Sequence, residues 1–353
     1  MMVRVRTHST LRRIVGATVV LATAAGLAAC STVTTGAGTL TSAGGATTAP
    51  APAATAATVS ACPAQVSARK GVIDDSVQSD GIKRTYRLWV PANYTGTTAL
   101  PIIVNYHGTG GSPESIDEFS SNLSQRANAR NYLVVAPQAQ TGGSTAIRWT
   151  VPGFGTTPDD VAFTNAMIDK IATEFCVDPK REYATGFSSG GAMTTWIACS
   201  DSARFAAVVP GGGVNLIDPS CQKAPIPMFA YHGTKDQTAF FNGIDEKPAQ
   251  PNPATAATLP FFGSVEQVMT FWAKGNGCQP NFTDSQLTPD ATLRVWPGCA
   301  VPTQLLLAIG GGHTFPGGTS RLAPEVAAEL GATVSSVNMA DLMLNWFDTQ
   351  KKA

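Results

Sequence analysis

Seven short segments with strand character recur along this chain: Thr85 to Val90, Ile102 to Tyr106, Tyr132 to Ala136, Glu182 to Thr185, Ala206 to Val209, Met228 to Tyr231 and Leu305 to Ile309. Several are unbroken apolar runs without polar alternation, as expected of strands covered on both faces in a parallel sheet. Between them Val161, Thr164, Ile168, Ile171 and Phe175 recur at spacings of three and four, which makes one face of a helix, and the closing segment from Val337 to Phe347 follows the same pattern. Strand and helix in alternation predict an α/β architecture, a doubly wound and mostly parallel sheet with helices on both faces. In such sheets ligands and reacting groups gather beyond the carboxyl ends of the strands. Four loops in that position carry polar signatures: His107-Gly108-Thr109-Gly110-Gly111, Gly186 to Gly191, His232-Gly233-Thr234-Lys235-Asp236, and Gly310-Gly311-Gly312-His313.

Only part of the chain belongs to this pattern. Arg4, Arg6, Arg12 and Arg13 precede an apolar run from Ile14 to Ala29, which reads as a secretory signal over residues 1–29. Leu27-Ala28-Ala29-Cys30 resembles a bacterial lipobox, so Cys30 is expected to carry a lipid that anchors the protein to a membrane. Residues 30–60 are almost entirely Ser, Thr, Ala, Gly and Pro, too polar and too small to build a core, and are expected to be a linker. Residues 61–353 then form one catalytic domain, expected to be a monomer. The 24 basic and 24 acidic residues balance over the whole chain, and without the four leader arginines the domain is mildly acidic. No nucleic-acid partner is expected of such a surface.

Beyond Cys30 the chain carries six cysteines, an even number in an exported protein, which predicts three disulfides. Six cysteines admit 15 pairings; sequence proximity suggests Cys199 with Cys221 and Cys278 with Cys299, leaving Cys62 with Cys176. Metal-type CxxC and CxxH spacings are absent, so no metal site and no cofactor is expected.

Gly186-Phe187-Ser188-Ser189-Gly190 has the GxSxG pattern, which a chain with 34 glycines can produce by chance. Its context is more specific. A strand ends directly before it and a helix-compatible stretch, Ala192 to Cys199, follows, the arrangement of a nucleophile elbow. Glycines flank the serine because the turn brings strand and helix too close for side chains. A serine hydroxyl needs a base, and the domain holds three histidines: His107, His232 and His313. His313 follows Ser188 with the most room for an acid between them, in the order nucleophile, acid, base, and sits on a Gly-rich loop after a strand. His107 and His232 precede glycines at strand ends and are expected to orient their loops. Asp201, Asp218, Asp236, Asp245, Glu246, Glu266, Asp284 and Asp290 are candidates for the acid; Asp236 is preferred because it lies a few residues past a strand. The backbone NH groups of Thr109 and Ser189 are expected to form the oxyanion hole.

Taken together, CVDPKREYATGFSSGGAMTTWIAC, HGTKD and GGGHTFPG resemble the poly(3-hydroxybutyrate) depolymerase and feruloyl esterase group of α/β-hydrolases, over about Arg69 to the C-terminus. The resemblance implies an α/β-hydrolase fold and a triad of the elbow serine, the aspartate of HGTxD and the histidine of GGGHTxPG, which are Ser188, Asp236 and His313 here. Two departures are visible: Phe315 stands where the group usually has tryptophan, and the loop reads HGTGG where relatives often carry Cys and Gln. Trp149, Phe240, Phe241 and Phe315, with His107, are candidates to meet the substrate. The expected activity is a metal-independent serine esterase, acting on polyhydroxybutyrate-like polyester or on feruloyl or acetyl esters of polysaccharide. Two alternatives stay open, a cell-envelope acyltransferase of the mycolyltransferase type and a binding lipoprotein on an inactive hydrolase fold.

Overall fold

A computed structural model describes residues 62–141, 146–243, 260, 262–318 and 324–353. All of them belong to one compact unit, Thr58–Ala353. The expected signal and linker, with Cys30, lie outside the described residues, as do Asp245 and Glu246. Among the described residues no helix is long and apolar enough to cross a membrane.

The described strands are β1 (Gly71–Ser79), β2 (Ile82–Val90), β3 (Leu100–Tyr106), β4 (Leu133–Pro137), β5 (Val177–Phe187), β6 (Ala207–Gly211), β7 (Met228–Gly233), β8 (Thr283–Thr288), β9 (Ala291–Trp296) and β10 (Thr303–Ala308). They form a single sheet in the order β1-β2-β4-β3-β5-β6-β7-β10-β9-β8. From β4 through β3, β5, β6 and β7 to β10 the pairing is parallel throughout. Antiparallel strands flank this centre, β1 and β2 on one side and β9 and β8 on the other.

The seven segments expected from sequence correspond to β2, β3, β4, β5, β6, β7 and β10. Every residue of β3, β4, β6 and β7 is buried, which is why those runs show no polar alternation. Sequence reading did not find β1, β8 and β9. In β8, TDSQLT, five of six positions are exposed, so nothing in its hydrophobic pattern marks it as a strand.

Helices cover both faces. Alternate strand residues divide between them: Ile102 and Val104 pack with Phe163 and Ile168 of α3 (Asp160–Glu174) and with Ala192 and Ile197 of α4 (Ser189–Ser200). Ile103, Val134 and Ala136 pack with Ile116 of α1 (Pro113–Phe119), Leu123 of α2 (Leu123–Asn128) and Phe347 of α7 (Met339–Phe347). The first group also takes in Val265 and Trp272 of α5 (Val265–Gly275), and α6 (Pro324–Leu330) follows the His313 loop. This doubly wound arrangement is the α/β-hydrolase fold. Disulfides join Cys62 to Cys176, Cys199 to Cys221 and Cys278 to Cys299. The last closes the base of the β8–β9 hairpin.

Candidate active site

Ser188 stands between β5 and α4 with φ +60° and ψ −121°, a backbone state that a side-chain-bearing residue adopts only where its surroundings impose it. The imposition comes from the flanking glycines. A Cβ on Gly190 would sit 2.0 Å from the Tyr106 carbonyl oxygen, and one on Gly191 would sit 2.2 Å from that of Gly211. Strand β5 therefore turns into α4 with no room for a side chain at either position, and Ser188 is left half-buried at the carboxyl edge of the sheet.

His313 and Asp236, the expected base and acid, stand on two loops that bind each other. Thr234 donates its NH to the Ala308 carbonyl at 3.0 Å, Lys235 donates to Gly311 at 2.8 Å, and Gly310 donates to the Thr234 hydroxyl at 2.9 Å. A Cβ on Gly233 would lie 2.2 Å from the Gly312 carbonyl oxygen, so the glycines of HGTKD and GGGH permit this approach. It brings His313 Nδ1 to 2.7 Å from Asp236 Oδ2. Asp236 Oδ1 accepts the backbone NH groups of Thr238 and Ala239, both at 2.8 Å.

Burial by itself would raise the Asp236 carboxyl, but the charge of His313 and the hydrogen bonds from His232 and His313 override it and hold the group well below the usual carboxylate range. Asp236 is therefore an anion facing the imidazole, the arrangement that orients a base and stabilises its cation. The Phe187 ring, one residue before Ser188, packs 4.6 Å from the His313 ring, and a Cβ on Gly212 would lie 3.3 Å from His313 Cε1. His313 is thus held against the elbow. Its Nε2 is buried without a hydrogen-bond partner among the described residues, which leaves the nitrogen facing away from Asp236 unengaged.

The HGTGG loop also borders Ser188: a Cβ on Gly108 would come 3.3 Å from Ser188 Cβ. The Ser189 NH, in the first turn of α4, and the Thr109 NH make no hydrogen bond among the described residues. His107 holds this loop from within. Its Nε2 accepts the Ala139 NH at 3.1 Å, so its proton sits on Nδ1 and is donated to the Gly108 carbonyl at 2.7 Å. Burial pushes the His107 ring below its ordinary pKa of 6.5, with the bond to Gly108 opposing, and the ring stays neutral.

The other acidic candidates are engaged elsewhere. Glu266 and Asp284 pair with Arg294, Asp290 accepts the Thr288 hydroxyl at 2.9 Å, Asp218 caps a short 3-10 turn, and Asp201 ends α4. Among the described residues no cluster of three or more His, Cys, Asp or Glu could hold a metal ion.

The side chains expected to meet substrate are instead packed into the core. Trp149 is fully buried edge-on to Tyr106 at 5.0 Å, and its Nε1 donates to the His107 carbonyl at 2.7 Å. Phe315 is edge-on to Tyr231 at 5.3 Å and belongs to the core on the other face of the sheet. Phe240, Phe241 and His107 are buried as well. Each aromatic ring removes about 150–250 Å² from water when it turns inward, and that gain places them in the core although their loops border the site. Two contributors escaped sequence reading. Phe187 was legible only as the variable position of GxSxG. His232 bonds the Ala239 carbonyl at 2.7 Å and also lies 3.2 Å from Asp236 Oδ2, so it braces Asp236 as well as its loop.

Comparison with known proteins identifies the family of this chain. The prolyl oligopeptidase family matches residues 118–224, a segment that includes Ser188 and stops short of Asp236 and His313. Over 257 residues the chain is 30% identical to a probable feruloyl esterase C of Aspergillus clavatus, covering 69% of this chain and 80% of that protein. The chain belongs to the feruloyl esterase group of α/β-hydrolases. It is also 32% identical over 230 residues to feruloyl esterase B of Piromyces equi, covering 63% of this chain but only 41% of that longer protein. Among solved structures, an acetyl xylan esterase from Aspergillus awamori superposes with a TM-score of 0.47 at 16% identity, covering 69% of this chain and 94% of that one.

Proposed function

We propose that this protein is an exported serine esterase in which Ser188 attacks an ester carbonyl. His313 Nε2 takes the hydroxyl proton as the Ser188 Oγ–carbon bond forms, and the carbonyl oxygen becomes an anion facing the Thr109 and Ser189 NH groups. As that tetrahedral species collapses, the bond to the alcohol breaks and His313 returns the proton to the departing oxygen. Water then repeats the sequence on the acyl-enzyme and releases the acid, with Asp236 holding the imidazole throughout. The observation that carries this reading is the 2.7 Å pair of His313 and Asp236 beside a serine at φ +60°.

Feruloyl or acetyl esters of polysaccharide are the favoured substrates. That choice is supported by the names of relatives such as the bifunctional acetylxylan esterase/xylanase of Neocallimastix patriciarum, 29% identical over 174 residues. The three disulfides suit an oxidising compartment outside the cytoplasm, and Cys30 would tether the domain there through a lipid.

The test is Ser188→Ala. The variant should fold with an unchanged Tm and lose at least about 10³-fold in kcat on p-nitrophenyl acetate and methyl ferulate. Wild-type turnover by folded Ser188→Ala protein would sink the assignment. A panel of methyl ferulate, acetylated xylan and polyhydroxybutyrate then separates the substrate classes, the first two being expected to turn over fastest.

A further inference from the structure

Arg84 lies in β2, three strand positions from β5, and is fully buried. Its guanidinium sits 2.5 Å from Asp160 Oδ1, itself buried in the first turn of α3, and lies over the Phe163 ring at 4.0 Å. Two of its nitrogens, Nε and one Nη, are buried with no hydrogen-bond partner among the described residues. A buried ion pair with unmet donors is a poor stabilising device, since apolar side chains of equal volume in its place are often neutral or better. Its partners suggest another role.

From this pair two arms run to the HGTGG loop. In one arm the second oxygen of Asp160 accepts the Thr150 NH at 2.7 Å, and the neighbouring Trp149 donates its indole NH to the His107 carbonyl at 2.7 Å. In the other, Arg84 donates to the Gln138 carbonyl at 3.4 Å, the Gln138 side-chain amide lies 3.1 Å from His107 Nε2, and the next residue, Ala139, donates its NH to that same nitrogen at 3.1 Å. The arms close a ring on His107, gripping its carbonyl from one side and its imidazole from the other. Thr109 follows two residues later, and its NH must meet a developing negative charge within a few tenths of an ångström to be effective.

We propose that the Arg84–Asp160 ion pair is a positioning device for the oxyanion hole, acting through Trp149 and Gln138 on His107 to hold the Thr109 NH at the tetrahedral oxygen. The inference rests on the esterase reading of Ser188. Neither charged residue touches substrate. They fix the spacing between β2, the 149–150 loop and α3, on which the HGTGG loop is suspended.

The experiment uses the full chain and the double substitution Arg84→Met with Asp160→Leu, which removes both charges without orphaning either. Three quantities are read: Tm, the split between kcat and KM on p-nitrophenyl acetate, and the affinity of a phenylboronic acid, whose tetrahedral adduct on Ser188 places an oxygen in the oxyanion hole. The expected result is a folded protein with kcat down 10- to 100-fold, KM within threefold of wild type, and boronate affinity reduced in parallel with kcat. A folded double variant with kcat within twofold and unchanged boronate affinity overturns the proposal, and so does a raised KM with boronate affinity preserved. If the double variant does not fold, Trp149→Phe replaces it. That change deletes the indole bond to the His107 carbonyl while keeping an aromatic ring, smaller than the indole, against Tyr106, and should lower kcat and boronate affinity together by about tenfold with KM within threefold; unchanged values overturn the proposal. Labelling of wild-type protein by a fluorophosphonate at Ser188 separates the two layers, because its absence would remove the esterase reading itself.

Discussion

Asp236 accepts the Thr238 and Ala239 NH groups on one oxygen and faces His313 on the other, with His232 Nε2 3.2 Å from that second oxygen. Such an anion cannot be traded for an amide without reversing at least one hydrogen bond, because the NH₂ of an asparagine donates where His313 must also donate. Asp236→Asn is therefore expected to leave the fold intact and lower kcat by about 10⁴-fold, through the wrong imidazole tautomer; steady-state kinetics on p-nitrophenyl acetate measure it, and a loss under tenfold would assign the acid to another residue. A second expectation at this scale concerns His107, which the folded protein keeps neutral below its ordinary pKa of 6.5 because it is buried. The unfolded chain binds a proton there that the folded chain refuses. The stability contributed by the neutral ring is thus complete above pH 6.5 and declines as pH falls below it. Urea unfolding at pH 7.5, 6.5 and 5.5 should show this slope, and His107→Gln should flatten it while lowering stability at pH 7.5.

Among the elements, the turn from β5 into α4 bears the tightest constraints. Gly190 was legible as part of a motif, but the reason it must be glycine is the Tyr106 carbonyl of the neighbouring strand, 2.0 Å from where a Cβ would stand. Backbone on both sides cannot yield. Gly190→Ala is expected to destabilise by more than about 4 kcal/mol, the range reserved for severe lesions, and to show either as a large fall in Tm or as insoluble protein; soluble protein with wild-type Tm would contradict this account of the elbow. Helix α3 shows how far periodicity reaches. Thr164, Ile168 and Ile171 were expected on its inner face and are buried there, while Val161 is only half-buried and Phe163 and Met167 complete the face. The central strands were legible because both of their faces are covered. Strands β1 and β8 were not, because solvent on their outer positions erases the apolar run that marks a buried strand, and β9 was not, because Thr292 and Arg294 interrupt its apolar residues.

At the scale of the whole molecule, the disulfides differ in what they close. Cys62–Cys176 spans 114 residues and joins the chain before β1 to the start of β5, whereas Cys278–Cys299 spans 21 and closes one hairpin. If the constraint acts on the unfolded chain, removing the long closure costs about 5 kcal/mol and the short one about 3. Urea unfolding of the paired Cys→Ser variants tests that order. A larger loss from the Cys278–Cys299 pair would show that native contacts around the hairpin, rather than loop length, set the contribution.

Sequence alone determined the class of fold and named the candidate residues that the proposed chemistry uses, because both are written locally. A nucleophile elbow needs its glycines next to its serine, and a buried strand needs its apolar residues in a row. Sequence order alone could also rank His313 above His107, which precedes Ser188, since the serine, acid and base follow one another along the strands. Only the tertiary structure decided what each loop does. The bond of His313 to Asp236 joins residues 77 positions apart, and it forms because parallel strands β7 and β10 are neighbours in the sheet and their glycine loops interlock. The same physics turned Trp149, Phe240 and Phe315 inward, because the area an aromatic ring buries depends on what the rest of the chain brings against it.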